Sequence, residues 1–276
     1  MKTDTEIPRN IAPPSPLRPA TRNSTAATRA IGALILREMA TTYGKSPGGW
    51  LWAIVEPIAA IALLAFAFSL AFAAPPLGDN FALFYATGYL PYIFFADVSQ
   101  KIATSLRFSK SLMSFGAVTY LDAIIARVIL NCLTQFLVFS LVMFGLLIYD
   151  SGGAQPDYDF IGVTLLSVAV LALGVGTLNC YLFTAFPAWE RLWAIVMRPL
   201  FIISGVIFLF EDVPENLQLY LGLNPLFHVT GAMRQAFFLS YHPEYVSLTY
   251  VFGLSTGLFL LGLMLLDRFH DELIHK

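Results

Sequence analysis

The chain is short of charge: Asp, Glu, Lys and Arg make up 12% of its 276 residues, against 57% hydrophobic. A water-soluble domain of this size covers its surface with about a quarter charged residues. That shortage excludes an ordinary soluble enzyme, and a mean hydropathy of +0.70 agrees. Cysteine is nearly absent; Cys132 and Cys180 both fall in apolar stretches, where they read as small packing residues. The four histidines (His228, His242, His270, His275) lack metal-ligand spacing, which argues against a metal site. A net charge of −2 gives no sign of nucleic-acid binding. Carboxylates and histidines deep in the apolar stretches, the parts of a proton relay, are missing too, and this argues against an ion-coupled pump.

What the chain has is six long apolar stretches, at 51–73, 81–103, 123–149, 160–185, 192–210 and 246–266. Each suffices for the ~20 residues that cross a hydrocarbon core of ~30 Å. Alternation at period two is absent, so the stretches are helices, and the fold class is an all-α polytopic membrane protein with six transmembrane helices. Basic residues set its orientation. Lys2, Arg9, Arg18, Arg22, Arg29, Arg37 and Lys45 precede the first span, Lys101, Arg107 and Lys110 lie around the second loop, and Arg191 in the fourth. The first and third loops carry only Asp79, Asp150, Asp157 and Asp159. By the positive-inside rule both termini are cytoplasmic.

Four regions follow. Residues 1–25 are polar and Pro-rich without an apolar core, a disordered cytoplasmic tail and not a signal peptide. Residues 26–45 form an amphipathic interfacial helix: Ala27, Ile31, Leu34, Ile35 and Met39 share one face. Glu38 falls on that apolar side and must snorkel, pair or meet a partner protein. Residues 46–268 are the transmembrane domain, entered through Pro47, Gly48 and Gly49, with Trp50 and Trp52 at the interface. Its outer loop, 213–240, is too apolar for solvent and too short to span twice, which predicts a re-entrant helical pair. Residues 269–276 are a cytoplasmic tail.

Two motifs mislead. Gly44-Lys45-Ser46 hints at a phosphate loop, but Met39 stands where that loop needs glycine and no strand precedes it. Any ATP-driven cycle therefore needs a separate ATPase. Gly253-Leu254-Ser255-Thr256-Gly257 matches a hydrolase elbow, yet it lies in the last span, where Gly253 and Gly257 suit close helix packing. Among ionisable residues, Asp97 and Lys101 stand at i and i+4, the spacing of an ion pair, and Arg127 can snorkel. Glu56, ahead of Pro57, and Arg198, ahead of Pro199, are the membrane-embedded charges. Tyr85, Tyr89 and Tyr92 share a face of span two, with Phe94 and Phe95 nearby; such a face suits a sugar, an interfacial belt or helix packing.

Several segments resemble a known family. They are Arg37-Glu38 with Tyr43-Gly44-Lys45, Gly49-Trp50-Leu51-Trp52, Glu56-Pro57, Ile124-Ile125-Ala126-Arg127, Arg198-Pro199 through Gly205, Val213-Pro214, and Asn224-Pro225-Leu226-Phe227-His228 with Arg234. Their order and topology resemble the membrane subunit of type-2 ABC exporters, specifically the capsular-polysaccharide permeases of Gram-negative inner membranes. The resemblance implies a homodimer bound to two copies of a cytoplasmic ABC ATPase, which holds ATP and Mg while this chain holds no cofactor. It implies ATPase coupling through Arg37, Glu38, Lys110 and Phe115, and a gate containing Asn224, His228 and Arg234. Tyr85, Tyr89, Tyr92, Phe94 and Phe95 would line a channel for a lipid-linked polysaccharide, with periplasmic export proteins beyond it. O-antigen, a lipo-oligosaccharide or a drug is the alternative cargo, and an intramembrane serine hydrolase the alternative class.

Overall fold

The structure, a computed structural model, describes residues 24–42, 48–113, 118–150 and 154–275. Among the described residues every regular element is an α-helix. In order they are α1 (Ser24–Thr42), α2 (Gly49–Ser69), α3 (Phe81–Ala103), α4 (Ser105–Met113), α5 (Tyr120–Tyr149), α6 (Tyr158–Ala185), α7 (Pro187–Ile203), α8 (Glu215–Leu221), α9 (Pro225–Phe237) and α10 (Leu248–His275). Most of the expected tail, together with Tyr43–Pro47 and Phe115, lies outside the described residues.

Local chemistry starts these helices. The Asn80 carboxamide oxygen accepts the Ala82 amide at 2.9 Å to open α3. Thr119 and Asp122 form a reciprocal capping box at α5, and Asp157 caps α6. Proline fits at the first position of α7 and α9, where the missing N–H costs nothing. Gly48 precedes α2 at φ 78°, a left-handed conformation that side chains with a Cβ avoid, so the chain turns into the first span there.

Five helices are long and apolar enough to cross a membrane: Leu51–Ser69, Phe81–Met113, Tyr120–Tyr149, Tyr158–Ala185 and Leu248–Phe269. The fifth expected span, 192–210, departs from expectation. Helix α7 has 17 residues and stops at Ile203; Ser204 and Gly205 then leave the helix, Gly205 at φ 72° with the Phe227 ring where a Cβ would stand. Pro199, which leaves the Ile195 carbonyl without its helical amide partner, weakens the C-terminal half of α7.

Helices α3 and α6 form the centre, with α10 against α6, and α5 and α9 against α3. Lipid is as apolar as leucine, so close approach of backbones must hold such helices together. The sequence suggests Gly253 and Gly257 for this, but both face open space. Gly174 meets the Ser255 backbone instead, and Gly262 meets Leu178. The outer surfaces stay apolar: Leu63 and Phe66 on α2, and Leu192 and Ile195 on α7, are exposed. No side chain of α7 is buried within the chain.

Charges divide the bundle into two ends. Arg37, Lys101, Arg107, Lys110 and Arg127 sit where α1, α3, α4, α5 and the start of α7 meet, and Tyr120 reaches Asp267 of α10 there at 3.2 Å. Asp79, Asp150, Asp157, Glu211, Asp212 and Glu215 lie at the opposite end with α8 and α9.

Candidate functional site

At the basic end, a buried network joins α1 to the hairpin α4–α5. Glu38, 4% exposed, meets Arg127 of α5 at 3.3 Å. Arg127 also donates to the Lys101 carbonyl and to Thr104 Oγ1, at the break between α3 and α4. Arg37 donates to the Phe108 carbonyl at 3.3 Å. Both guanidiniums lie over the Phe108 ring, Arg37 at 4.7 Å and Arg127 at 4.4 Å from its centroid. Asn131, one turn beyond Arg127, donates to the Arg127 carbonyl at 2.8 Å and approaches Glu38 at 3.5 Å. Arg127 therefore does not snorkel: a cation one turn inside the span finds an acid on α1 nearer than water. Nor does Glu38 face outward; it closes this network. Lys110 is exposed on α4, free to meet another molecule.

A second, exposed link crosses from α4 to α7. Arg107 grips Glu190 with two nitrogens on two oxygens, both at 2.7 Å. Hydrogen bonding to this guanidinium holds the Glu190 carboxyl below the ordinary carboxylate range. Asp97 does not follow the i, i+4 expectation. Gln135 of α5 donates to it at 2.7 Å, and no ion pair to Lys101 closes within 4 Å among the described residues.

At the acidic end, α9 is buried almost throughout and clamps the irregular segment that follows α7. Arg234, fully buried, donates to the carbonyls of Val206 at 3.0 Å and Phe208 at 2.9 Å and lies 4.3 Å above the Phe84 ring. Thr230 donates to the Ser204 carbonyl at 2.8 Å, and the Asn224 amide to Ile203 at 2.9 Å. His228 touches the Gly222 carbonyl at 2.8 Å through Nε2, while Nδ1 accepts from the Ser247 amide at 3.2 Å. That pattern assigns the ring hydrogen to Nε2. The three expected gate residues thus lie on α9 or at its N-cap; Asn224 and Arg234 hold backbone that has left α7, and His228 bridges Gly222 and Ser247.

The aromatic face of α3 divides. Tyr85, Tyr92, Phe94 and Phe95 are buried within the chain. Tyr92 donates to the Met197 carbonyl at 2.8 Å and packs edge-on to Phe201; Phe94 packs on Phe136. Tyr85 stacks near Phe68 and edges a cavity of about 510 Å³ at the acidic end. Tyr89 alone is half-buried. Packing, not display, is what the structure gives Tyr92, Phe94 and Phe95. Glu56 and Arg198 are exposed at span depth, and among the described residues neither has a hydrogen bond or ion pair.

Sequence reasoning missed Asn131, Phe108, Glu190 and Thr230. Arg127 and Asn131, polar residues four apart in an apolar helix, were a usable signal for an inward face. Phe108 and Glu190 carried none, because their partners lie on other helices.

The ABC-2 type transporter family profile matches residues 29–238, and the chain belongs to this family. It is 30% identical to the polysialic acid transport protein KpsM of Escherichia coli over 237 residues, 85% of this chain and 91% of that protein. It is 28% identical over 241 residues to the capsule polysaccharide export inner-membrane protein CtrC of Neisseria meningitidis serogroup A, covering 87% of this chain and 91% of the relative. The capsule polysaccharide export inner-membrane protein BexB of Haemophilus influenzae is 27% identical over the same shares.

Proposed function

We propose that this ABC-2 family member is the transmembrane subunit of an ATP-driven exporter that carries a lipid-linked capsular polysaccharide across the bacterial inner membrane. The observation that carries this reading is its match, over more than four fifths of its length, to relatives named for polysialic acid transport and capsule export. Both termini lie in the cytoplasm, since the basic end then faces inward. Two copies of the chain pair, and two copies of a separate ATPase, which bind ATP and Mg, dock on the basic end.

The geometry supports a division of labour. Lys110 on α4, with Phe115 beyond it, presents the coupling surface. Arg37 and Glu38 act one layer behind: they weld α1 to α4 and α5, so a push on α4 moves the interfacial helix with it. Asn224 and Arg234 set the outer gate by fixing the backbone after α7, and His228 by tying the end of α8 to the start of α10. The exposed apolar faces of α2 and α7 suit the seam with the second copy, and Glu56 and Arg198 on them suit protein or an aqueous conduit better than lipid. Tyr89 is the channel aromatic that the packing leaves available.

Deleting the gene tests the reading. Surface glycan is scored with an antibody or lectin before and after permeabilisation. Polymer lost from the surface and retained inside is expected. Unchanged surface polymer overturns the capsule assignment and leaves O-antigen, lipo-oligosaccharide or drug export by the same architecture.

A further inference from the structure

On α2 the exposed Trp52, Glu56 and Leu63 share one stripe, and on α7 the exposed Ile195, Arg198 and Ile202 share another. Within the chain α2 packs mainly on α3 and α5, and α7 on α6. Each stripe carries one charge, and the two are opposite in sign. Charge is also left over on both sides. Glu56 shares a crevice with Asp97 and Lys101, two acids against one base. The only acid of α7, Glu190, is gripped by Arg107, which leaves nothing on that helix for Arg198. Among the described residues neither Glu56 nor Arg198 has a hydrogen bond or ion pair. An unbalanced charge at span depth is costly in lipid and ordinarily marks a partner or a water-filled path. Depth matches as well. Tyr92 of α3 donates to the carbonyl of Met197, the residue before Arg198, at 2.8 Å. Ile93, the next residue of α3, lines the crevice with Glu56. The two charges therefore lie at similar levels of the bundle.

We propose that Glu56 of one copy forms an ion pair with Arg198 of a second copy across a seam of α2 against α7, and that this contact sets the register of the two copies. The inference rests on the pairing of copies proposed above and names the side chains that direct it. A two-fold axis along the membrane normal keeps every residue at its depth. Levels matched within one chain are then matched between two. Such an interface is self-complementary: where Glu56 meets the partner's Arg198, Arg198 meets the partner's Glu56. Apolar helix faces have no preferred register by themselves, because lipid is as apolar as leucine. Two ion pairs in the seam supply one, since an offset strands four charges. A lipid phosphate would satisfy Arg198 and leave Glu56 and Asp97 against one lysine. A second copy satisfies both sides at once.

The test co-expresses two differently tagged copies of the chain with the ATPase in the gene-deletion strain. Capture of one tag through the other reads their association. Glu56→Arg sets like charge against Arg198, and Arg198→Glu sets like charge against Glu56. Each variant is expected to associate with itself at least about tenfold more weakly than wild type. Mixing the two variants is expected to restore association, because both contacts across the seam then hold opposite charges again. A pair within one chain gives no such recovery, since mixing leaves each chain with two like charges. A second measurement avoids charge reversal. Glu56→Cys in one copy and Arg198→Cys in the other are expected to be joined by a short bifunctional thiol reagent. Wild-type copies, which hold only Cys132 and Cys180, give the baseline. Should a reversed chain fail to reach the membrane, this cross-link decides. Wild-type association in both single variants overturns the proposal. So does a lack of recovery on mixing chains that reach the membrane, or a cross-link no stronger than the baseline. Surface glycan left unchanged by gene deletion would sink the exporter reading instead and leave the pair standing.

Discussion

Glu38 on α1 and Arg127 on α5 meet at 3.3 Å with both side chains buried. The pair fixes α1 to the hairpin beside it. Removing one partner of such a pair strands the other charge, at a cost of about 3–5 kcal/mol. Arg127→Met is therefore expected to lower the thermal unfolding temperature of the purified protein. The double variant Glu38→Gln/Arg127→Met should recover part of the loss, since no charge is then left alone. Equal loss in single and double variants would mean that the carbonyl and Thr104 bonds of Arg127 matter and the pair does not. Charge reversal at Glu38, which on sequence grounds should only weaken ATPase binding, is now expected to unfold this corner too.

Lys110 offers the cleaner probe of coupling. It is exposed on α4, next to the segment containing Phe115. Lys110→Glu should reduce co-purification of the ATPase several-fold with thermal stability within about 0.5 kcal/mol of wild type. Co-purification at the wild-type level would remove Lys110 from the docking surface.

Tyr89 and Tyr92 stand one turn apart on α3 and should behave differently. Tyr92→Ala empties a buried site and strands the Met197 carbonyl, so a loss of about 3 kcal/mol in stability is expected. Tyr89→Ala should leave stability nearly intact and slow export, read as surface glycan per cell. Normal export in the Tyr89 variant would make that ring packing as well.

Arg234 bridges two carbonyls with its planar fork. A lysine ammonium cannot span both in that geometry, so Arg234→Lys should destabilise by about 2 kcal/mol and block export while the ATPase still co-purifies. Wild-type export in this variant would show that the segment after α7 holds its shape without the fork.

Ser255 donates to the Val251 carbonyl of its own helix at 2.6 Å, and its backbone lies where a Cβ on Gly174 would stand. Ser255→Ala should therefore leave export unchanged, and complete loss with normal folding would revive a hydrolase. Gly174→Ala should instead force α6 and α10 apart, costing about 1–3 kcal/mol in thermal stability. Full stability in that variant would mean the helices can shift without penalty.

Sequence alone determined that the chain lies in a membrane as helices, because apolar runs of spanning length and a shortage of charge have no other stable arrangement. It also marked the two unlike ends, since basic residues gather at one and acids at the other. Tertiary structure decided the rest, because periodicity assigns a residue to a face without saying what that face meets. It turned Glu38 and Arg127 toward each other, gave the tight contact of α6 and α10 to Gly174 and Gly262 in place of Gly253 and Gly257, and put Tyr92 and Phe94 in the core. It also ended the fifth span at Ile203, since Arg234 and Thr230 satisfy the carbonyls that a helix would otherwise have to pair.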